Sequence, residues 1–455
     1  NWTQVTTPTS VSAAQHQLVH DPTRGVTFFI VSGFGGTRLW QYDGSNWTDR
    51  TDDDGVPSGD GPTVFNPARG LVERFSSTSN ATTARLWTFR PSDPLPKWTS
   101  ANITVGPGRG TTGYINPFIA YIGATGTALT MRDRLTYSWN GTAWSAVGRL
   151  DATTLGHSAW GDVNRDGTPD RVAVYTMADA AATDRTPGKA LFQNTGGALA
   201  PTPAWIRHDG LSVRTVALGD INNNGRLDVV FGHFSQTAQF QGPLQYYANT
   251  GDAAVFGATP TWQSASIHQV AGLALVDVNG DGWLDIAAVT RDSPPRVLVF
   301  LSNAGVMPTT PSMSFTLPAT ASFDLANYSP FAWADVTYNG RLECVVGYKD
   351  SDAAGGAAVS VLAFNANATA LVERQRIEGV GSPLSLADVD GDGYPDLIAI
   401  VSGSGPACFA IPTALSRKRR PGPPPSIAGR PRPSPSAIST ATEIRISSWP
   451  TAHRV

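Results

Sequence analysis

The 455-residue sequence predicts an all-β chain folded as a single β-propeller of four-stranded blades: eight, or seven if one N-terminal copy is not a full blade. Three observations predict it. A nine-residue acidic loop recurs five times at a nearly constant period. Short apolar runs of strand length flank every copy, about four to a period. The composition, with 46 Gly, 34 Pro and 13 Trp but only 15% charged residues, suits many short strands and turns, and no window reads as a long amphipathic helix.

The loops are "DVNRDGTPD" (Asp162 to Asp170), "DINNNGRLD" (Asp220 to Asp228), "DVNGDGWLD" (Asp277 to Asp285), "DVTYNGRLE" (Asp335 to Glu343) and "DVDGDGYPD" (Asp388 to Asp396). Their first positions lie 58, 57, 58 and 53 residues apart, which signals a repeat architecture. Before them run "HSAWG", "TVALG", "LALV", "FAWA" and "LSLA"; after them run "RVAVYT", "VVFGH", "IAAVT", "CVVGY" and "LIAIV". Each loop therefore joins two strands. A third strand ends in Asn ("LFQN", "YYAN", "FLSN", "AFN") and a fourth follows in "PAWIRHD", "PTWQSASI" and "MSFTLPA". Four strands per period make one propeller blade.

These copies resemble the FG-GAP/VCBS repeats of integrin-α-like propellers over about residues 155–413. The resemblance implies a calcium-bearing propeller used in recognition. The first 150 residues have a different rhythm: an Asp/Asn-Pro turn, a β run, Leu-Trp-x-Tyr/Phe, and a Trp-Thr/Ser strand. It starts at "HDPTRG" (His20), at "FNPARG" (Phe65) and at "INPFIAYIG" (Ile115), and it is similar to kelch repeats. With strands lettered A to D from the axis outward, the Pro turn and the acidic loop are both expected to join A to B. Pro at the second position sets a type I turn without metal.

The opening "NWTQVT" repeats "NWTDRT" at Asn46, a D strand, while the last repeat has strands A, B and C only. The N-terminal strand is thus expected to complete the last blade and remove an open edge. Residues 1–413 then form the propeller, with kelch-like blades to 150 and acidic-loop blades from 151. Residues 414–455, rich in Pro, Arg and Ser, are expected to bury no core. From Leu415 onward there are eight basic residues and one acid, which leaves −10 on the rest of a chain of net charge −3. That acidic body argues against a nucleic-acid partner and suits hard cations. The basic tail is a candidate tether to a wall or membrane surface. No apolar run reaches the length that spans a bilayer.

Calcium takes about six to eight hard oxygens at roughly 2.3–2.6 Å. The loops begin like an EF-hand, but position 12 is Ala173, Phe231, Ala288, Val346 or Ala399, none a ligand. A strand follows rather than a helix, so the closing carboxylate is expected at position 9, with side-chain oxygens at 1, 3 and 5 and a backbone carbonyl at 7. Asp388, Asp390, Asp392, the carbonyl of Tyr394 and Asp396 form the richest set. Asp162, Asn164, Asp166, Thr168 and Asp170 come next, with Asp277, Asn279, Asp281, Trp283 and Asp285. Asp220, Asn222, Asn224, Arg226 and Asp228 hold fewer carboxylates, and Asp335, Thr337, Asn339, Arg341 and Glu343 are expected to be weak or empty. Three to four calcium sites result. Gly at position 6 allows the sharp turn.

Calcium at extracellular levels, and N-x-S/T sequons at Asn1, Asn46, Asn80, Asn102, Asn140, Asn327 and Asn367, point to a secreted or cell-surface protein. One disulfide between Cys344 and Cys408 and a pair of buried thiols are equally open. No G-x-S-x-G, H-E-x-x-H, P-loop or CxxC is present. His16 and His20 fall on or beside a strand, where i and i+4 lie far apart. Kelch propellers include copper oxidases of the galactose oxidase type, but no Tyr/His/Cys constellation carries over. Trp2, Trp47, Trp98, Trp144, Trp205 and Trp262 recur at strand D, where blade packing accounts for them. The expected function is a monomeric, non-catalytic recognition module for a glycan or an extracellular protein. The alternatives are a polysaccharide hydrolase or lyase with its site in the funnel, and a purely structural adhesion module. The favoured ligand loops lie opposite the acidic hairpins, at Ser32 to Arg38 and Thr176 to Lys189.

Overall fold

The computed structural model describes the strands between 3 and 149 and the segments 158–175, 188–195, 198–200, 202–235, 241–252, 255–323, 330–388, 395–401 and 405–410. The tail 414–455, residues 34–35 of the first favoured ligand loop and 176–187 of the second lie outside the described residues. Within them the chain is all-β apart from one 3-10 turn at Ala354–Gly356. No described helix is long and apolar enough to cross a membrane.

The described strands form eight sheets of four or five strands and one two-stranded sheet. Seven of the larger sheets are antiparallel meanders, and the eighth takes its outer strand from the N-terminus. The fifth is typical: strand A is Val213–Gly219, B is Asp228–His233, C is Pro243–Tyr247 and D is Trp262–Ile267. The sixth repeats it with Val270–Val276, Asp285–Thr290, Arg296–Phe300 and Met313–Thr316. The fourth has Ser158–Gly161, Asp170–Tyr175, Gly188–Phe192 and Trp205–Arg207. In the seventh, strand A is split into Ala321–Ser322 and Phe331–Ala334, both paired with Glu343–Asp350, and Ala357–Phe364 and Leu371–Glu378 follow. In the eighth, Thr3–Gln4 pairs with Gly405–Ala410, outside Val380–Ala387 and Asp396–Val401.

Burial explains why strands A to C read as continuous apolar runs rather than alternating ones. In the sixth sheet every residue of strands A and B is buried. Both faces of the fifth to seventh sheets are covered by neighbouring sheets, so both parities must be apolar there. One cluster joins Val172, Leu191 and Trp205 of the fourth sheet to Val216, Val229 and Phe231 of the fifth. Another joins Leu244 and Tyr246 of the fifth to Leu275, Ile286 and Phe300 of the sixth. Similar clusters join the sixth to the seventh and the seventh to the eighth. Strand D of the fifth sheet is mostly exposed, as an outermost strand should be. Trp205 lies against Phe231, Tyr247 and Phe256 and donates its indole N–H to the Gly257 carbonyl at 3.0 Å, so it packs one sheet onto the next.

One expectation needs correction, and one open alternative narrows. In the third sheet Phe118–Ile122 is strand A and Gly126–Thr130 is strand B. The Asn-Pro of "INPF" therefore precedes strand A instead of joining A to B. Only residues 123–125 separate strand A from Gly126, which opens strand B, and none of them is proline. Of the two alternatives left open for the cysteines, Cys344 fits the buried thiol: it is free, fully buried and packed in an inter-sheet core.

Candidate metal centre

The acidic loops are the A–B hairpins of the fourth to eighth sheets. In all five, the residue before position 1 pairs with position 9: Gly161 with Asp170, Gly219 with Asp228, Val276 with Asp285, Ala334 with Glu343, and Ala387 with Asp396. Position 9 is thus the first residue of strand B. Position 12 then falls on the core face, and Ala173, Phe231, Ala288, Val346 and Ala399 are all buried.

The loop interior is organised by position 1. Asp277 accepts the Asp281 N–H at 3.0 Å through Oδ1 and the Gly282 N–H at 2.8 Å through Oδ2. Asp162, Asp220 and Asp335 accept the equivalent pair of N–H groups. Position 6 has φ of +88° at Gly167, +80° at Gly225, +88° at Gly282 and +80° at Gly340, as expected of the sharp turn. A second left-handed residue, which the sequence reading missed, sits at position 4: Arg165, Asn223, Gly280 and Tyr338. The signal for it was weak, since glycine fills position 4 in only two of the five copies, at Gly280 and Gly391.

Position 9 points inward. Asp170 Oδ2 accepts the Val163 and Asn164 N–H groups at 3.0 and 3.2 Å, and its Oδ1 accepts the Asn194 N–H from the end of strand C at 2.8 Å. Asp228 does the same for Ile221 and Asn249, and Asp285 for Val278 and Ser302. Burial pushes Asp170 and Asp228 up to about 6 and Asp285 up to about 7; the neighbouring Asp281 and Asp277 add to the last. Asn249, the residue that ends strand C in "YYAN", donates to the Leu227 carbonyl and to the Val163 carbonyl in the preceding sheet's loop. Asn223 donates to the Gly282 carbonyl of the next loop at 3.0 Å, so successive hairpins are stitched together.

The loops 162–170, 220–228 and 277–285 fit a hard cation by donor chemistry: side-chain oxygens at positions 1, 3 and 5 converge on one turn, and the nearby position 9 carboxylate adds negative charge. Among the described residues no three His, Cys, Asp or Glu side chains are gathered as a preformed metal group. Asn stands at position 3 in all three loops and also at position 5 in the second, and position 9 is committed to backbone donors. The loop 335–343 does not fit. The longer Glu343 side chain satisfies both oxygens from within, accepting from the Val336 and Thr337 N–H groups, the Thr337 hydroxyl and the Asn339 amide at 2.7–3.2 Å. Asp390, Asp392 and Tyr394 lie outside the described residues, while Asp396 is buried.

No protein-family model and no curated protein matches the sequence. Solved structures do match. The chain is similar to Sqt1 of Saccharomyces cerevisiae at 11% identity, over 90% of this chain and 97% of that one, with a TM-score of 0.56. It is similar to the propeller of Dos1 at 9% identity, over 90% and 94%, with a TM-score of 0.55. It is also similar to the computationally designed Ika8 protein at 10% identity, over 89% and 100%, with a TM-score of 0.52. At such identities the likeness establishes the fold alone, and the fold is a β-propeller.

Proposed function

We propose that the chain is a single eight-bladed ring of kelch-like and FG-GAP/VCBS-type blades, closed by its N-terminal strand. In this reading it is held by calcium at its acidic hairpins, and it serves as a non-catalytic, secreted or cell-surface recognition module for a glycan or a protein. The observation that carries the calcium part is the common geometry of the loops at 162, 220 and 277. Each gathers oxygen donors at positions 1, 3 and 5 around two left-handed residues. The same oxygens also accept the turn's own N–H groups, so a cation would add to a turn that already forms. Calcium at about 100 times its dissociation constant would stabilise the fold by roughly 2.7 kcal/mol per site. The recognition part draws on the fold class, which hosts many functions.

Thermal melts in EDTA and in calcium test the metal, with a rise in calcium expected and an unchanged melt refuting it. A glycan array and an extracellular-protein panel, probed in calcium and followed by turnover assays on the hits, test the role. Binding without turnover is expected; turnover of a bound polysaccharide would refute the non-catalytic reading.

A further inference from the structure

The seventh sheet carries a cavity of about 460 Å³ between its A–B hairpin and its C–D turn. That size lies within the range of small-molecule sites, roughly 300–1,000 Å³. It opens on the same face as the acidic hairpins, not on the opposite face where the sequence favours ligand loops. Its ionisable lining is Arg341, Arg374 and Glu343, and Phe364 and Ala363 add an apolar wall.

The charges there are unbalanced. Glu343 is buried and spends both oxygens on four protein donors. Asn339 spends its amide on Glu343 and Thr337 and its carbonyl on the Arg341 N–H. The Asn365 carbonyl caps its own turn. Arg374 makes a single hydrogen bond, from Nη2 to the Phe364 carbonyl at 3.3 Å, which fixes its guanidinium beside the apolar wall without neutralising it. The Arg341 guanidinium has no hydrogen bond or ion pair among the described residues. Both arginines are exposed. Among the described lining residues, two guanidiniums without an ion pair thus share one concavity whose one carboxylate, Glu343, already has its hydrogen bonds. Guanidinium forks match carboxylate and sulfate oxygens in a bidentate manner.

The same residues explain why this hairpin differs from its siblings. Thr337 stands at position 3 where the other loops have Asn or Asp, and Glu343 stands at position 9 where they have Asp and turns its carboxylate onto the hairpin's own donors. Asp335 and Glu343 keep two carboxylates in the hairpin, but both are held by its own N–H, hydroxyl and amide groups, and Asp335 does not line the cavity. We propose that this cavity binds the oxyanion of a small organic ligand, a carboxylate or a sulfate, between Arg341 and Arg374, with Phe364 against the ligand's apolar face. The site goes beyond the calcium reading and does not depend on it, because the donors of hairpin 335–343 do not fit a cation.

Calorimetric titration of the full chain at constant ionic strength tests this, with sodium glucuronate, sodium sulfate and neutral glucose as probes, in EDTA and in calcium. Saturable binding of glucuronate or sulfate is expected in both conditions, weakened about tenfold or more in Arg341→Gln and in Arg374→Gln. Arg374→Lys, which keeps the charge but loses the fork, should fall between. The tighter of the two anions identifies the group recognised. The proposal is overturned if neither anion saturates, if glucose binds as well, or if both Gln variants bind like the parent while melting at the parent's temperature. Loss of binding in EDTA alone would also overturn it, by tying the site to the cation loops.

Discussion

Replacing Asp228 by alanine separates two roles that the acidic hairpins combine. The side chain is fully buried. Its Oδ2 accepts the Ile221 N–H at 3.0 Å and the Tyr246 hydroxyl at 3.1 Å, and its Oδ1 accepts the Asn249 N–H at 2.7 Å. Alanine strands all three donors, and the two backbone groups cannot turn elsewhere. At about 1–3 kcal/mol for each of these two backbone donors, the expected loss is about 2–6 kcal/mol, with no metal involved. Asp228→Asn keeps one acceptor oxygen and should lose about half as much. Asp220 holds its two N–H groups at an exposed turn, at 2.9 and 2.7 Å, where water can replace it. Asp220→Ala should therefore cost about 1 kcal/mol or less in EDTA. In saturating calcium it should also forfeit the cation's contribution, about 2.7 kcal/mol at 100 times the dissociation constant. Urea unfolding followed by tryptophan fluorescence, with and without calcium, gives these differences from midpoint and slope. A loss below about 1 kcal/mol for Asp228→Ala in EDTA would refute position 9 as the hairpin's buried hub.

The raised carboxylates set a pH dependence. Asp170, Asp228 and Asp285 hold protons more tightly folded than unfolded, so their contribution is fully present below about pH 4 and lost as pH rises through about 6–7. Melting in EDTA should fall between about pH 5 and 7.5, and calcium, which needs the deprotonated form, should shrink or reverse the fall; a flat metal-free profile contradicts this. At Gly282 (φ +88°) an added Cβ meets nothing within 4 Å, so Gly282→Ala should cost only the left-handed backbone penalty, about 1–2 kcal/mol. Arg165→Gly, at the other left-handed position, should gain up to about 1 kcal/mol, and equal melts for both variants and the parent would contradict the backbone assignment. The fully buried Lys189 lies between Asp209 and Gln245, joining the fourth sheet to the fifth. Asp209→Ala should cost about 3 kcal/mol at neutral pH. Burial lowers the Lys189 pKa, so that loss should shrink at alkaline pH, and a pH-independent loss would argue against an uncompensated charge.

The hairpin repeat was legible in the sequence because period, glycine and strand flanks are local signals. Five copies in register specified four strands per period, placed position 12 in the core and put the outermost strand at Trp262, all from apolar pattern alone. The N-terminal strand was legible for the same reason, since "NWTQVT" repeats a strand D motif. The third N-terminal copy was misread because its Asn-Pro sits before "FIAYI", and only the pairing of Phe118–Ile122 with Gly126–Thr130 decides which strand that run is. Position 9 was read as a ligand from its carboxylate. Tertiary structure shows its other role: both oxygens face backbone N–H groups that arrive from the hairpin and from the end of strand C, more than twenty residues away in Asp170 and Asp228. The unneutralised Arg341 and Arg374 stand 33 positions apart and carry no shared motif. Sequence determined what each hairpin is made of, because loop chemistry lies within nine residues. Tertiary structure decided where each carboxylate and guanidinium points, because that depends on which donors and acceptors the neighbouring strands leave unpaired.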